Sequence, residues 1–178
     1  MCPFISKLEF QSEQNKHVDT FTLMPKEFEI GFELNSYGAR TNDLIGIVDI
    51  TQNIFHLTTG ESCCNVGSMI PAVWIFNGNL NVGMAINGVG NLSRSFAIND
   101  TEWYNVLILQ KKNKHGDFTF KVLINAEVKW SLVNINPKEF KDVKLFISNP
   151  WHQAFNGSLR NFHICFKGTQ LNSLVFDS

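Results

Sequence analysis

Along FEIGFELNS (28–36), Phe28, Ile30, Phe32 and Leu34 alternate with Glu29, Gly31, Glu33 and Asn35. Successive side chains of an extended strand point to opposite faces, so this period of two specifies a strand with one buried and one wet face. DLIGIVDI follows a turn rich in Gly, Asn and Asp, and NIFHLTTG is again bounded by glycine. PAVWIFNGN and LNVGMAING read as two strands joined at Asn77-Gly78-Asn79, a favourable hairpin connection. EWYNVLILQKK and DFTFKVLINAEVKW form another pair across the polar turn NKHGD, and VKLFISN and LRNFHICFK supply two more strands. FISKLEF and VDTFTLM are candidate edge strands, and pairing of a terminal strand is expected to close the sheet edge. One short helical turn fits NPKEFKD (136–142), and no longer helix is expected. About a dozen short strands with such turns predict an all-β chain of two packed antiparallel sheets.

A length of 178 residues suffices for one substantial core, so the simplest organisation is a single domain over 1–178. Sixteen Phe against two Tyr point to dry aromatic packing. The formal net charge of -1, with both signs mixed along the chain, offers no broad positive surface for nucleic acid or an anionic membrane. No run approaches the roughly 18 apolar residues that span a bilayer, so membrane insertion is not expected. The start, MCPFISKLEF, lacks the apolar core of a signal peptide. That fits a cytoplasmic chain or a domain excised from a longer one. Three sequons, at Asn91 (NLS), Asn99 (NDT) and Asn156 (NGS), favour instead an extracellular or cell-surface glycoprotein.

The run 103–164 holds a Trp-led strand, a hairpin, an inner strand reaching Asn125-Ala126, an F-x-x-V-x-L-F strand (140–146) and a G-x-L-R-N-F return strand (157–162). With FEIGFELN and IFHLTTG upstream, it resembles the laminin-G-like branch of the concanavalin A-like lectin and glucanase superfamily. The resemblance implies a jelly-roll sandwich, often secreted, that serves as a carbohydrate- or protein-binding module. The glycosidases of that superfamily carry a Glu-x-Asp-x-Glu set on one strand face, and retaining chemistry needs two carboxyl groups roughly 5–5.5 Å apart. This chain has no such triplet. Glu27, Glu29 and Glu33 come nearest, and Glu29 and Glu33 lie on the wet side of their strand.

Other chemistry is equally thin. GMAINGVGN lacks the Lys-Ser/Thr ending and following helix of a phosphate loop. His17, His56, His115, His152 and His163 show no zinc-binding i,i+4 pair, and Cys63-Cys64 lacks the spacer of chelating cysteines. No enzyme and no cofactor are therefore expected. Calcium is the ion that the resemblance raises. Its oxygen donors would come from scattered turns, with Asp49 and Asp100 the carboxylate candidates, and turn formation alone explains those residues.

Cys2, Cys63, Cys64 and Cys165 are candidate half-cystines. Vicinal Cys63 and Cys64 bond to each other only with local strain, either can reach across a turn or sheet, and Cys2 can meet Cys165 if the terminal strands pair. Four reduced thiols are the intracellular alternative. Trp74 and Trp103 read as core or core-edge residues, and Trp130 as a strand end. Trp151, beside Pro150, reads either as a plug in the end of the sandwich, which the sequence favours, or as an aromatic platform. In the second case Trp151, His152 and Asn149 combine an aromatic face with polar groups, as a sugar ring requires. Asn87 and Asn91, in the Gly-Asn-rich stretch 85–91, join them if the two loops share one end of the sandwich. In GSLRNF, Gly157 permits a tight turn, Leu159 packs inward, and Arg160 or Asn161 bonds a neighbouring loop. The expected function is a non-catalytic, lectin-like module that binds a glycan or glycoprotein. The alternative is an adhesion or assembly module that binds a protein surface, and homo-oligomer formation is compatible with both.

Overall fold

A computed structural model describes the backbone of residues 4–6 and all of 9–37 and 51–167. The strand expected in DLIGIVDI, together with Cys2 and Asp49, lies outside the described residues. Fourteen strands occur among the described residues, in two seven-stranded sheets. The first sheet runs β1 (Phe4–Ser6), β14 (Gly157–Phe166), β4 (Phe28–Ser36), β9 (Trp103–Lys112), β10 (Phe118–Ile124) and β11 (Glu127–Asn134), with β2 (Phe10–Gln11) also on β14. The second runs β3 (His17–Met24), β12 (Phe140–Phe146), β5 (Gln52–Thr58), β6 (Ala72–Phe76), β7 (Asn79–Ile86) and β8 (Val89–Ala97). A two-residue strand, β13 (Gln153–Ala154), lies parallel to β5, and every other pairing is antiparallel. This is the expected two-sheet sandwich, and the N-terminal segments do lie at sheet edges as β1 and β3.

The core follows from the alternation. Phe28, Ile30, Phe32 and Leu34 of β4 are buried, as are Val106 and Ile108 of β9 and Leu159, Phe162 and Ile164 of β14. Phe32 and Phe162 from the first sheet meet Phe55 from the second, with ring centroids 5.4 and 5.3 Å from that of Phe55 and both contacts edge-on. Edge-to-face packing matches the positive ring edge to the negative face, which suits a site with no hydroxyl to satisfy.

Three hairpins close on two-residue turns with positive φ at both central positions: Asn77-Gly78 (49° and 70°), Asn87-Gly88 (55° and 82°) and Asn125-Ala126 (50° and 65°). That geometry matches the right-handed twist of paired strands and favours Asn-Gly. The second of these turns replaces the loop expected at 85–91. It places Asn91 on β8, a strand that the polar run NLSRS concealed. The helical turn expected at 136–142 is absent, because from Phe140 the chain is already paired with β3.

Three further expectations are corrected. Trp130 is buried within β11, edge-on to Phe120, rather than at a strand end. Trp103 faces away from the core, with the Arg160 guanidinium 3.8 Å above its ring. Gly157 is required by close approach and not by a turn conformation, since a Cβ there would fall 2.2 Å from the Asn35 carbonyl oxygen.

Ala126 is the exception among the three turns, because its Cβ is strained at positive φ. Ala126→Gly is expected to raise stability by about 0.5–1 kcal/mol, with a matching rise in the denaturation midpoint and an unchanged m-value.

Candidate functional site

Phe55 points into the core, so its neighbour His56 points to the outer side of the second sheet. Two connections cover it there. The β5–β6 connection supplies the Ser68 carbonyl, which accepts from His56 Nε2. The segment after β12 supplies Asn149, whose Nδ2 lies 3.2 Å from His56 Nδ1. An Nε2–H that donates to a carbonyl leaves Nδ1 as the acceptor, so both contacts fit one neutral tautomer. Burial holds His56 below its ordinary value of 6.5, against the opposing pull of the Ser68 carbonyl, and the nearby His152 adds to the depression. Protonation would also set an Nδ1–H against the Asn149 amide donor.

Asn149 organises the rim. Its Oδ1 accepts from the backbone N–H of Trp151 (3.2 Å) and His152 (3.0 Å) and lies 3.2 Å from His152 Nδ1, while its own N–H donates to Asn53 Oδ1 at 2.9 Å. This Asx arrangement folds the chain tightly after Ser148. It presents Trp151 at 63% exposure, edge-on to His56 with centroids 5.7 Å apart. Trp151 is therefore no plug. With His152 Nδ1 turned to Asn149, Nε2 is the ring nitrogen available to a ligand. Burial holds His152 below 6.5 as well.

Trp151, His152, His56 and Asn149 line a half-open cavity of about 360 Å³ with Glu61, Cys63 and Met69 of the β5–β6 connection. The structure thus brings together Asn149, Trp151 and His152 of the residues singled out in sequence. It gives Asn149 a buried, loop-forming place in place of a sugar-facing one. Asn87 lies elsewhere. Its Nδ2 donates to the Val133 carbonyl and its Oδ1 accepts from the Ile135 N–H, which ties the β7–β8 turn to the first sheet. Asn91, on β8, lies beside Cys64. Sequence reasoning passed over His56, Glu61 and Met69, which carry no local motif and meet only through the fold.

A second, polar depression of about 500 Å³ lies on the outer face of the first sheet, lined by Glu29, Glu33, Asn105 and His163 among others. Its carboxylates are committed. Glu29 pairs with Lys111 at 2.7 Å, and Glu33 accepts from Arg160 Nε at 2.7 Å and Asn161 Nδ2 at 2.8 Å. Burial alone would raise Glu33, but these donors outweigh it and hold the carboxyl below its ordinary value. Arg160 and Asn161 thus clamp the adjacent strand β4 rather than a loop.

The Ser36 hydroxyl donates to Asp100 at 3.4 Å, and no group of three or more His, Cys, Asp or Glu gathers as a metal site among the described residues. Cys165 is disulfide-bonded, Cys63 and Cys64 are free, and β1 pairs with β14 near Cys165. Asn91, Asn99 and Asn156 are all exposed. No helix among the described residues is long and apolar enough to cross a membrane.

Two outcomes test the site's construction. Asn149→Ala removes an acceptor shared by two buried or half-buried backbone donors and is expected to cost about 1–3 kcal/mol in chemical denaturation. The depressed His56 and His152 should make stability fall as pH drops below about 6.5, where the unfolded chain takes up protons that the folded one resists. Thermal midpoints measured from about pH 7.5 to 5 should show this decline. It should be shallower in His56→Gln.

No family model and no curated protein sequence matches this chain. Solved structures do. The binding domain of botulinum neurotoxin serotype G superposes with a TM-score of 0.58 at 15% identity, over 93% of this chain and 40% of that one. The ligand-binding domain of serotype D in complex with N-acetylneuraminic acid gives 0.52 at 19%, over 89% and 36%. The heptameric SAP-like pentraxin of Limulus polyphemus gives 0.58 at 12%, over 90% and 76%. The chain spans only about two fifths of the toxin chains it matches. At these identities the likeness establishes architecture, and the narrower laminin-G-like assignment rests on the sequence resemblance alone. The architecture is the concanavalin A-like jelly-roll sandwich, which here carries a cavity with an exposed tryptophan on the outer side of its second sheet.

Proposed function

We propose that this chain is a non-catalytic carbohydrate-recognition module that binds a glycan or glycoprotein at the Trp151 cavity. The observation that carries the reading is Trp151 itself, held 63% exposed beside a cavity by hydrogen bonds that its neighbours make to a buried Asn149. A pyranose has an apolar C–H face and a rim of hydroxyls. Trp151 offers the stacking face, while His152 Nε2 and Glu61 offer acceptors at the edge. A structural neighbour solved with N-acetylneuraminic acid adds support, since it shares the sandwich. The Cys165 disulfide and the three exposed sequon asparagines favour an extracellular or cell-surface setting.

A protein-binding adhesion or assembly role has one specific observation in its favour. Val128 and Val133 on the edge strand β11, and Ile135 just beyond it, are 49%, 53% and 83% exposed. An apolar sheet edge is a ready surface for another chain.

A glycan array probed with oligomerised protein separates the two, because multivalency reveals weak single sites. Trp151→Ala should lose at least about tenfold in apparent affinity, the equivalent of one stacking contact, with its thermal transition nearly intact. Undiminished binding by folded Trp151→Ala would remove this cavity from the reading. An empty array beside a reproducible protein pull-down that Val133→Lys abolishes would replace the reading with the second one.

A further inference from the structure

Cys63 and Cys64 occupy the two central positions of a turn closed by the Asn65 N–H donating to the Ser62 carbonyl at 3.3 Å. Cys64 has φ +78° at the third turn position, where type II geometry calls for glycine or asparagine. A side chain held there is an identifiable backbone outlier, and such outliers cluster where strain serves a function. The two sulfurs lie 2.7 Å apart and both residues are exposed. The turn is pinned from behind: a Cβ on Gly90 of β8 would fall 2.3 Å from the Cys64 carbonyl oxygen, so only glycine admits this approach. Asn91, next along β8, lies beside the Cys64 sulfur. Cys63 lines the same cavity as Trp151. Elsewhere in the chain, Cys165 is already bridged, so the fold carries a disulfide.

We propose that Cys63 and Cys64 form a reversible vicinal disulfide, and that closing it completes an apolar, sugar-facing wall of the Trp151 cavity. The second half of this inference rests on the carbohydrate-binding reading, and the first half does not. The oxidant is a low-molecular-weight disulfide of the glutathione class. One cysteine thiolate attacks it, forms a mixed disulfide and expels one glutathione thiolate. The second cysteine thiolate attacks the cysteine sulfur of that mixed disulfide and expels the other. The protein loses two thiol protons and two electrons, and one glutathione disulfide becomes two glutathione thiols. Neighbouring Cα atoms across a trans peptide are about 3.8 Å apart, shorter than the usual 4.4–6.8 Å of a bridged pair, so the bond is strained and readily reduced. The hydrogen bond to Cys63 pushes the Cys64 thiol above its ordinary range, so exchange accelerates as pH rises. Reduced, the pair presents two rotatable thiols. Oxidised, it presents a rigid, polarizable apolar surface for the C–H face of a ring.

The test equilibrates the intact chain in glutathione buffers of graded poise, alkylates it, and reads by mass the peptide that carries Cys63 and Cys64. At the oxidising end this peptide should take no alkyl group and be lighter by two hydrogens. At the reducing end it should take two, with a midpoint at a less reducing poise than the Cys165 bridge. Two alkylatable thiols at every poise, or a bridge from either cysteine to a different residue, overturns the disulfide. The same oxidised and reduced samples, and a Cys63→Ser/Cys64→Ser variant, are then titrated against the strongest array glycan. Binding should be about tenfold tighter for the oxidised protein, and the variant should match the reduced protein at every poise. Equal affinity in both states overturns the wall. Should the array be empty for every state, the carbohydrate reading and the wall fail together, while the mass titration still decides the disulfide.

Discussion

The edge-on contacts of Phe55 with Phe32 and Phe162 tie the two sheets to each other, and the rest of the molecule is oriented by them. Each ring is at most 1% exposed, and burial of a phenylalanine is worth about 1.5–3 kcal/mol. Their larger effect is on register. A slip of one residue in β5 would turn Phe55 to the outer side and His56 into the core, reversing every side chain of that strand. Because a buried, unpartnered imidazole is costly, the aromatic contact and the polar roof over His56 select the same register. The cavity is in this sense a consequence of core packing one residue away.

Above the second sheet, rigidity comes from polar groups that satisfy one another. Asn149 is 1% exposed, yet its amide and backbone reach Asn53, His56, Trp151 and His152. The Ser148 N–H donates to the Ile54 carbonyl, and the Asn15 N–H donates to the Asn149 carbonyl. A hydrogen-bonded network of this kind fixes loop geometry, although it leaves the buried Ser148 hydroxyl without a partner among the described residues. It lets a loop hold a large aromatic side chain outward before any ligand arrives, so less ordering entropy is lost on binding.

The strands were legible wherever one face was apolar and the other polar, as in β4, where the sheet itself imposes the period. An Asn-Gly pair marked the Asn77-Gly78 turn, the Asn87-Gly88 turn was hidden within an expected loop, and Ala126 hid the third because the residue there is not the one that its φ prefers. β8 escaped because an edge strand with residues such as Asn91, Ser93 and Ser95 exposed need not alternate visibly. At the site, Trp151 and His152 stood out as a pair beside proline, but the partners that give them a cavity are distant in sequence. His56 lies 93 positions from Asn149, and no local pattern encodes that meeting. Arg160 was visible as a conspicuous charge near the turn, yet its partner Glu33 lies 127 positions away on β4.

The two outer faces of the sandwich consequently differ in what they leave unsatisfied. On the first sheet, Arg160 covers Trp103 at 3.8 Å and pairs with Glu33, while Lys111 neutralises Glu29. Ion pairs of this exposure contribute little to stability, but they occupy the donors and acceptors a ligand would need. A sugar arriving there must break existing contacts to make new ones, and the exchange is close to neutral. On the second sheet the internal network takes up Asn149 and the Trp151 backbone N–H and stops short of the indole, which has no cation over its face among the described residues. The surplus of unmade contacts is on that side, and a ligand that stacks there gains dispersion and burial without first displacing a protein partner.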